Sequence, residues 1–241
     1  MTATDVAHAG AVFGADPRHV RWFAERIVRA LGGASPGHVL DIGCGDGSLI
    51  LQLADAMPQT SFLGVDLLEG NVAAANAVIS RSPNRGRIAV ARDDYLRLRA
   101  GAFDLIVASS SLQGIDATSD QLAAKIARDM VAGGRLIHVT PYHCFYNTAL
   151  NALRVGLRHV RGTATDRMIL AVARILHPGQ PRGRLRERVD YMYLVLRHHE
   201  DDLRAALRVH GFQLVASEPA PHTSLGQPKH RLAVMSAPSR D

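Results

Sequence analysis

Residues 39–49 read VLDIGCGDGSL, an apolar run and an acid followed by Gly43, Gly45 and Gly47 at every second position. Glycines so spaced, between an apolar run and a helical pattern, dictate a strand, a tight turn and a helix N-terminus. Glycine alone takes left-handed backbone freely and lets another group come close to the chain. A helix N-terminus behind such a turn suits an anion or a nucleotide-like ligand. The spacing is not the dinucleotide fingerprint, because Ser48 stands where the last glycine of G-x-G-x-x-G would fall. No Gly-Lys-Ser/Thr ending follows, which excludes a phosphate-binding loop of that type.

The flanking pattern repeats the unit. Helical spacing over 17–31 follows Asp16-Pro17, a proline suited to the first helical position, and stops at Gly32-Gly33. Strands are predicted at 38–43, 61–67, 87–94, 103–110 and 135–141. Helices are predicted at 48–57, in the run ending near residue 80, and at 119–134 with a glycine stop. Strands alternating with helices imply an α/β fold, a parallel sheet covered on both faces. The pattern changes after Tyr142: 143–199 is helical without a strand, 201–212 is a helix, and 213–219 and 231–237 are two more strands. The loop-like stretch within the fold is 177–184.

The chain has 241 residues, enough for one well-packed domain, and 47% of them are hydrophobic, so a substantial core is expected. No apolar run approaches the roughly 20 residues needed to span a bilayer, and the N-terminus lacks the basic start and apolar stretch of a secretory signal. A cytoplasmic location and no membrane partner are expected. Cys44 and Cys144 are the only cysteines, so neither a disulfide framework nor a zinc site is expected. The net charge is +6, carried almost wholly by arginine, which keeps anionic partners open.

The turn Asp41-Ile42-Gly43-Cys44-Gly45-Asp46-Gly47 resembles the first motif of the class I S-adenosylmethionine-dependent methyltransferases. The resemblance spans roughly residues 36–142 and the last two strands. It implies a doubly wound, seven-stranded, mostly parallel Rossmann-like sheet, and S-adenosylmethionine as cofactor. It also implies roles. Asp66, closing the second strand next to Leu67, would accept the ribose hydroxyls, and Asp93 after the third strand would accept the adenine amino group. Asp94 would add a backbone N–H, and Asp41 would orient the amino-acid end beside Gly43, Cys44, Gly45 and Gly47. Residues 103–113, FDLIVASSSLQ, resemble the fourth-strand motif, which would bring Ser109 and Gln113 to the methyl group. Three acids at predicted strand ends suit a sulfonium and an ammonium, whereas a pyrophosphate would prefer none.

The implied organisation is one domain: an N-terminal helical cap (1–35), a cofactor-binding core (36–142), a helical lid inserted after the fifth strand (143–199) and a closing part (200–241). Phe13, His19 and Trp22 are candidates to close over the cofactor. Tyr142 and His143 stand at the expected mouth, His143 as substrate-binding residue and general base, with His198 and His199 as further candidates. Residues 151–200 hold ten arginines against four acids. Arg154, Arg158 and Arg161 recur at helical spacing opposite Leu153, Val155, Leu157 and Val160, which reads as a solvated helix face. Arg182, Arg184, Arg186 and Arg188 alternate in a loop and are better candidates for contacts. The expected activity is methylation of a small-molecule acceptor. An RNA or protein methyltransferase using the arginine-rich insert, or a non-catalytic binder of the cofactor, are the alternatives. Nucleic acid is not the expected partner, and a homodimer is left open.

Overall fold

The computed structural model of the protein describes residues 16–176, 189–222 and 226–239. Phe13, the four alternating arginines and the stretch 177–184 lie outside these residues. The elements run α1 (Pro17–Leu31), β1 (His38–Ile42), α2 (Ser48–Ala56), β2 (Ser61–Asp66), α3 (Glu69–Ile79), β3 (Ile88–Arg92) and β4 (Phe103–Ser109). There follow α4 (Ser119–Asp129), β5 (Met130–Pro141), α5 (Phe145–His159), α6 (Thr163–Leu176), α7 (Glu200–Val209), β6 (Gln213–Pro219) and β7 (His230–Ser236). The seven strands form one sheet in the order β3-β2-β1-β4-β5-β7-β6. Strands β1 to β5 pair in parallel, and β7 runs antiparallel to both β5 and β6. This is the doubly wound sheet expected from the alternation.

Period-2 alternation divides the core between the faces. Val39, Leu105, Val107, Ile137, Val139 and Val234 pack under α1 and α2 with Phe23, Ile27, Ile50 and Leu53. Leu40, Ile42, Ile106, Leu136 and Met235 point the other way, against Leu122 and Ile126 of α4 and Leu203 and Leu207 of α7. By the same alternation Asp41 and Ser109 face α1, and this sets where the site forms. The start of α1 is fixed by Asp16, whose carboxylate accepts from the Arg18 N–H at 2.8 Å, and its end by Gly32 in the left-handed region.

Two expectations need correction. The helix predicted over 119–134 ends at Asp129, and β5 begins at Met130 rather than at 135. Lys125 and Asp129 form a buried pair at the helix end, with the lysine over the Tyr95 ring. The chain then turns extended, because residues 133–134 pair with the C-terminal end: the Gly133 N–H reaches Pro238 O and the Gly134 carbonyl accepts from Ala237 N–H. The register against β4 jumps from Phe103↔Met130 to Leu105↔Arg135 across this stretch.

The second correction concerns α5, which is inverted relative to its apolar pattern. Asn147, Leu150 and Arg154 are buried, while Leu153, Val155 and Val160 are exposed. The inward face is polar because it clamps backbone. Asn147 bonds Tyr142 O, Lys229 O and Lys229 N–H; Asn151 bonds both backbone groups of Leu196. Arg154 donates to Leu194 O and Gly226 O, with its guanidinium over the Tyr191 ring. Each buried carbonyl needs a donor, and no apolar side chain supplies one.

His138, in the middle of β5, has no exposed surface; its Nδ1 meets Thr140 Oγ1 at 2.8 Å and its Nε2 has no partner. Burial pushes its pKa down to about 4. The folded protein holds this ring neutral while the unfolded chain protonates it near 6.5, so its contribution is full above 6.5 and is lost as pH falls towards 4. Between pH 7 and pH 5 this group should remove about 2 kcal/mol of stability. Urea melts of the parent and His138→Gln at both pH values check it: the parent's advantage should shrink by that amount at pH 5.

Candidate active site

The turn between β1 and α2 lies at the C-terminal edge of the sheet, beside the ends of β2 and β4. The Val65 carbonyl accepts from Gly43 N–H (2.8 Å) and Cys44 N–H (3.1 Å), and Asp66 Oδ2 accepts from Gly45 N–H (3.0 Å). Asp66 Oδ1 accepts from Leu68 N–H at 2.9 Å, so both oxygens of this carboxylate are oriented by backbone. All three glycines of the turn have positive φ. Space adds a second requirement at two of them. A Cβ on Gly43 would lie 2.4 Å from Ser111 Cβ, and one on Gly47 would press on Ala75 and Ile79 of α3. Part of the glycine pattern thus serves internal packing, which spacing alone does not reveal.

A cleft opens over this turn. Asp41, Gly43, Cys44, Gly45 and Ser109 line it together with Asp46, Ser48 and Leu49, and Val20 and Phe23 of α1 close one side. A larger groove of about 820 Å³ lies between residues 96–102 and Arg128–Asp129, at the opposite edge of the sheet, with none of the strand-end acids. The strand-end acid Asp41 and the glycine turn line the smaller cleft, which is therefore the candidate site. Here the end of β4 is strained: Ser110 has φ of 57°, a left-handed backbone that costs a non-glycine residue about 1 kcal/mol. It is held by Ser110 N–H to Val139 O, by Gln113 Nε2 to Ser110 O at 2.6 Å, and by Ser111 Oγ to Ile42 O.

The remaining predicted residues divide. Asp93 lies at the end of β3, its N–H on Asp66 O and its Oδ1 accepting from Asp94 N–H. Asp94 caps Leu96 N–H, and Leu67 is exposed. Gln113 is buried, and Tyr142 lies under the Arg231 guanidinium. His143 turns to the other face of the sheet edge. Its backbone N–H donates to Asp201 Oδ2, its Nε2 lies 2.8 Å from Asp202 Oδ2, and its ring stacks on His199. His198 is buried between Ser119 Oγ and Ile115 O. His19 reaches the cleft region, its Nε2 3.2 Å from Ser109 Oγ and its ring against Trp22 and Phe23. Burial holds the His19 ring below the usual imidazole range, with Asp16 opposing weakly, so it is neutral near pH 7. Sequence spacing gave no sign that His143, His199 and Asp202 converge, because the two segments are some 56 residues apart and meet only when α7 folds back.

Asp41 tests whether the residues fit S-adenosylmethionine. Its carboxylate is buried, and neither oxygen has a partner. Burial, and after it the charge of Asp66, pushes the pKa up to about 8. A buried acid without a donor calls for a cationic or proton-donating ligand. The ammonium and sulfonium of that cofactor meet the requirement, and a pyrophosphate would aggravate it. Cys44 is buried against Gly64 and its thiol is pushed up by burial, so it packs rather than reacts.

Residues 39–134 match the family described as methyltransferase domain. A malonyl-[acyl-carrier protein] O-methyltransferase of Geobacter sulfurreducens is 38% identical over 112 residues, covering 46% of this chain and 41% of that protein. The chain thus spans less than half the length of this curated relative. In fold it is similar to the N-methyltransferase NodS of Bradyrhizobium japonicum WM9, with a TM-score of 0.60 and 16% identity over 93% of this chain and 99% of the other. It is also similar to magnesium protoporphyrin IX methyltransferase (ChlM) of Synechocystis PCC 6803 with bound S-adenosylhomocysteine. There the TM-score is 0.59 at 19% identity, over 92% and 82% of the two chains. The resemblance read from the glycine turn is thus matched over residues 39–134 by a methyltransferase domain family and, in fold, by methyltransferases solved with bound S-adenosylhomocysteine or S-adenosylmethionine.

The orphaned acid gives a prediction. With its pKa near 8 in the open cleft, Asp41 holds a proton at pH 7; a cationic ligand beside it favours the carboxylate, so binding releases that proton. Calorimetry of S-adenosylmethionine at pH 7 in two buffers of different ionisation enthalpy should show close to one proton released. Asp41→Asn should abolish the release.

Proposed function

We propose that this chain, whose residues 39–134 carry a methyltransferase domain, transfers a methyl group from S-adenosylmethionine to a small-molecule acceptor. The observation that carries the reading is the buried, unpartnered Asp41 in a cleft framed by the glycine turn, Asp66 and Ser109. The cofactor, when bound, supplies an activated methyl on a sulfonium. The protein's part is then to bind, to orient and to exclude water. Asp41 would face the amino-acid end, Asp66 the ribose and Asp93 the adenine. Ser109 and His19 would border the methyl side, and α1 would wall it off from solvent.

The acceptor class follows from how the insert uses its charges. Arg154 is buried on two carbonyls, Arg161 pairs with Asp190 at 2.7 Å, and Arg197 pairs with Asp116 at 2.8 Å. Arg154 and Arg161 are thus engaged inside the fold, whereas Arg197 pairs at the surface and Arg167 and Arg174 of α6 are exposed; the two committed cations weaken the case for an electrostatic platform for RNA. We read α5 and α6 as the cover of the acceptor space, anchored by the Asn147, Asn151 and Arg154 clamps. The relative named for malonyl-[acyl-carrier protein] supports an oxygen acceptor such as a carboxylate.

Asp66→Ala should weaken S-adenosylmethionine by at least about 30-fold, roughly 2 kcal/mol, since charge-assisted bonds to the ligand and the Gly45 tether are lost together. Unchanged affinity by calorimetry would overturn the cofactor site. A methyl-transfer screen over small carboxylates and alcohols identifies the acceptor, which should slow amide exchange in α5 and α6. Steeply salt-dependent RNA binding, with no small-molecule turnover, would favour the nucleic-acid reading.

His143 follows β5 but turns to the α7 face, so we take it as a group that would orient only an acceptor long enough to reach past the end of the strand, with Asp202 holding its ring. His143→Ala should then lower turnover by about 100-fold with cofactor affinity unchanged. A comparable loss in His19→Ala, with His143→Ala active, would move the role to α1.

A further inference from the structure

We propose that His143, His199 and Asp202 form a binding site for a divalent transition-metal ion of the zinc class. The three residues come from two segments that meet at the sheet edge. His143 leaves β5, His199 is the cap of α7, and Asp202 stands in its first turn. Their ligand atoms all lie within 4.8 Å of one another. Asp202 Oδ2 is 2.8 Å from His143 Nε2 and 3.6 Å from His199 Nδ1. Donors sharing one ion at bond lengths near 2.0–2.1 Å stand roughly 3–3.5 Å apart, so these two separations bracket a ligated arrangement.

The donor set selects the ion. Two imidazoles and one carboxylate suit zinc and its transition-metal neighbours, whereas magnesium and calcium favour oxygen throughout. Three side chains approaching from the protein leave the outer positions of the ion to water or to an oxygen of a ligand. The segments are also braced from outside the trio. Asp201 Oδ2 accepts the His143 backbone N–H at 2.9 Å, and Arg204 pairs with Asp201 Oδ1 at 3.1 Å. Such outer contacts orient ligand-bearing residues in metal sites.

Two features oppose an ion, and both can be weighed. A helix N-terminus repels cations by its dipole, equivalent to about half a positive charge. Asp202, one of the ligands, stands in that turn beside Asp201 and offsets the dipole with its own carboxylate. The rings of His143 and His199 are nearly parallel, with centroids 4.0 Å apart and planes 20° apart, so their lone pairs run side by side. Ligation therefore turns one imidazole out of the stack towards Asp202.

Metal uptake is measured without substrate, so the test is independent of the methyl-transfer reading. The tag-free full chain, stripped by chelator, is titrated with Co²⁺ by visible absorption and with Zn²⁺ by calorimetry. The expected result is one equivalent per chain, with a ligand-field band for cobalt. His199→Ala and Asp202→Asn should each weaken Zn²⁺ by at least about 10-fold. His143→Gln should do the same, and thermal melts without metal establish that each variant is folded. His159→Ala, which removes an exposed histidine of α5, should leave binding unchanged. No stoichiometric uptake, or uptake equal in folded His199→Ala, Asp202→Asn and parent, overturns the site.

Discussion

The site depends on how the glycine turn is tied to the neighbouring strand. One carbonyl, Val65 O, receives the N–H groups of both Gly43 and Cys44, and one carboxylate, Asp66, receives that of Gly45. These bonds fix the path of the turn relative to β2. They also commit Asp66 to an orientation before any ligand arrives, which lowers the cost of ordering it on binding. The absence of a side chain at Gly43 then lets the end of β4 come close, with Ser111 Oγ on Ile42 O. Three strand ends are thereby joined through one turn, and disturbing any of them moves the others.

The electrostatic result is a pair of acids at adjacent strand ends, one oriented by backbone and one left without a donor. A stable fold does not favour burying Asp41 in this way, because an unpaired buried acid is costly in either protonation state. Such a cost at the mouth of a cleft is more consistent with function than with stability. The left-handed Ser110 at the end of β4 is a second local cost at the same edge. Both lie within the same cleft region, while β1 and the middle of β4 bury apolar side chains on both faces.

The sheet and its strand ends were legible in the sequence because they obey local rules. Alternation of period 2, an N1 proline, glycine stops and acids at strand ends each act within a few residues. The strands in β1 to β4 agree with expectation to within two residues for this reason. What failed was set by distant partners. The end of α4 is decided by the pairing of residues 133–134 with the C-terminal end, about 100 residues away. The orientation of α5 is decided by carbonyls at 142, 194, 196, 226 and 229, which no periodicity of residues 145–159 can report. The candidate site divides likewise: the residues proposed to hold the cofactor share one turn and its neighbours, whereas the histidines meet only through tertiary folding.

That division follows from the two faces of one edge. Ser109 and Val139 are register partners, so the chain leaving β5 emerges beside the end of β4. Alternation sends Ser109 towards α1, where His19 meets it, while His143 crosses to the N-terminus of α7. Pro141 and Tyr142 lie between, the first paired with His230 and the second covered by Arg231. An acceptor held over the methyl side would thus meet a neutral imidazole from the α1 face, and any ion on the α7 face would stand across the short Pro141–Tyr142 divide. The two histidines would therefore make separable demands on a substrate: on this proposal His19 would constrain the part nearest Ser109, and His143 the part reaching past β5. A small acceptor could satisfy the first alone. Engaging both would take a molecule long enough to cross the end of the strand, and that length is the physical difference by which the two roles can be told apart.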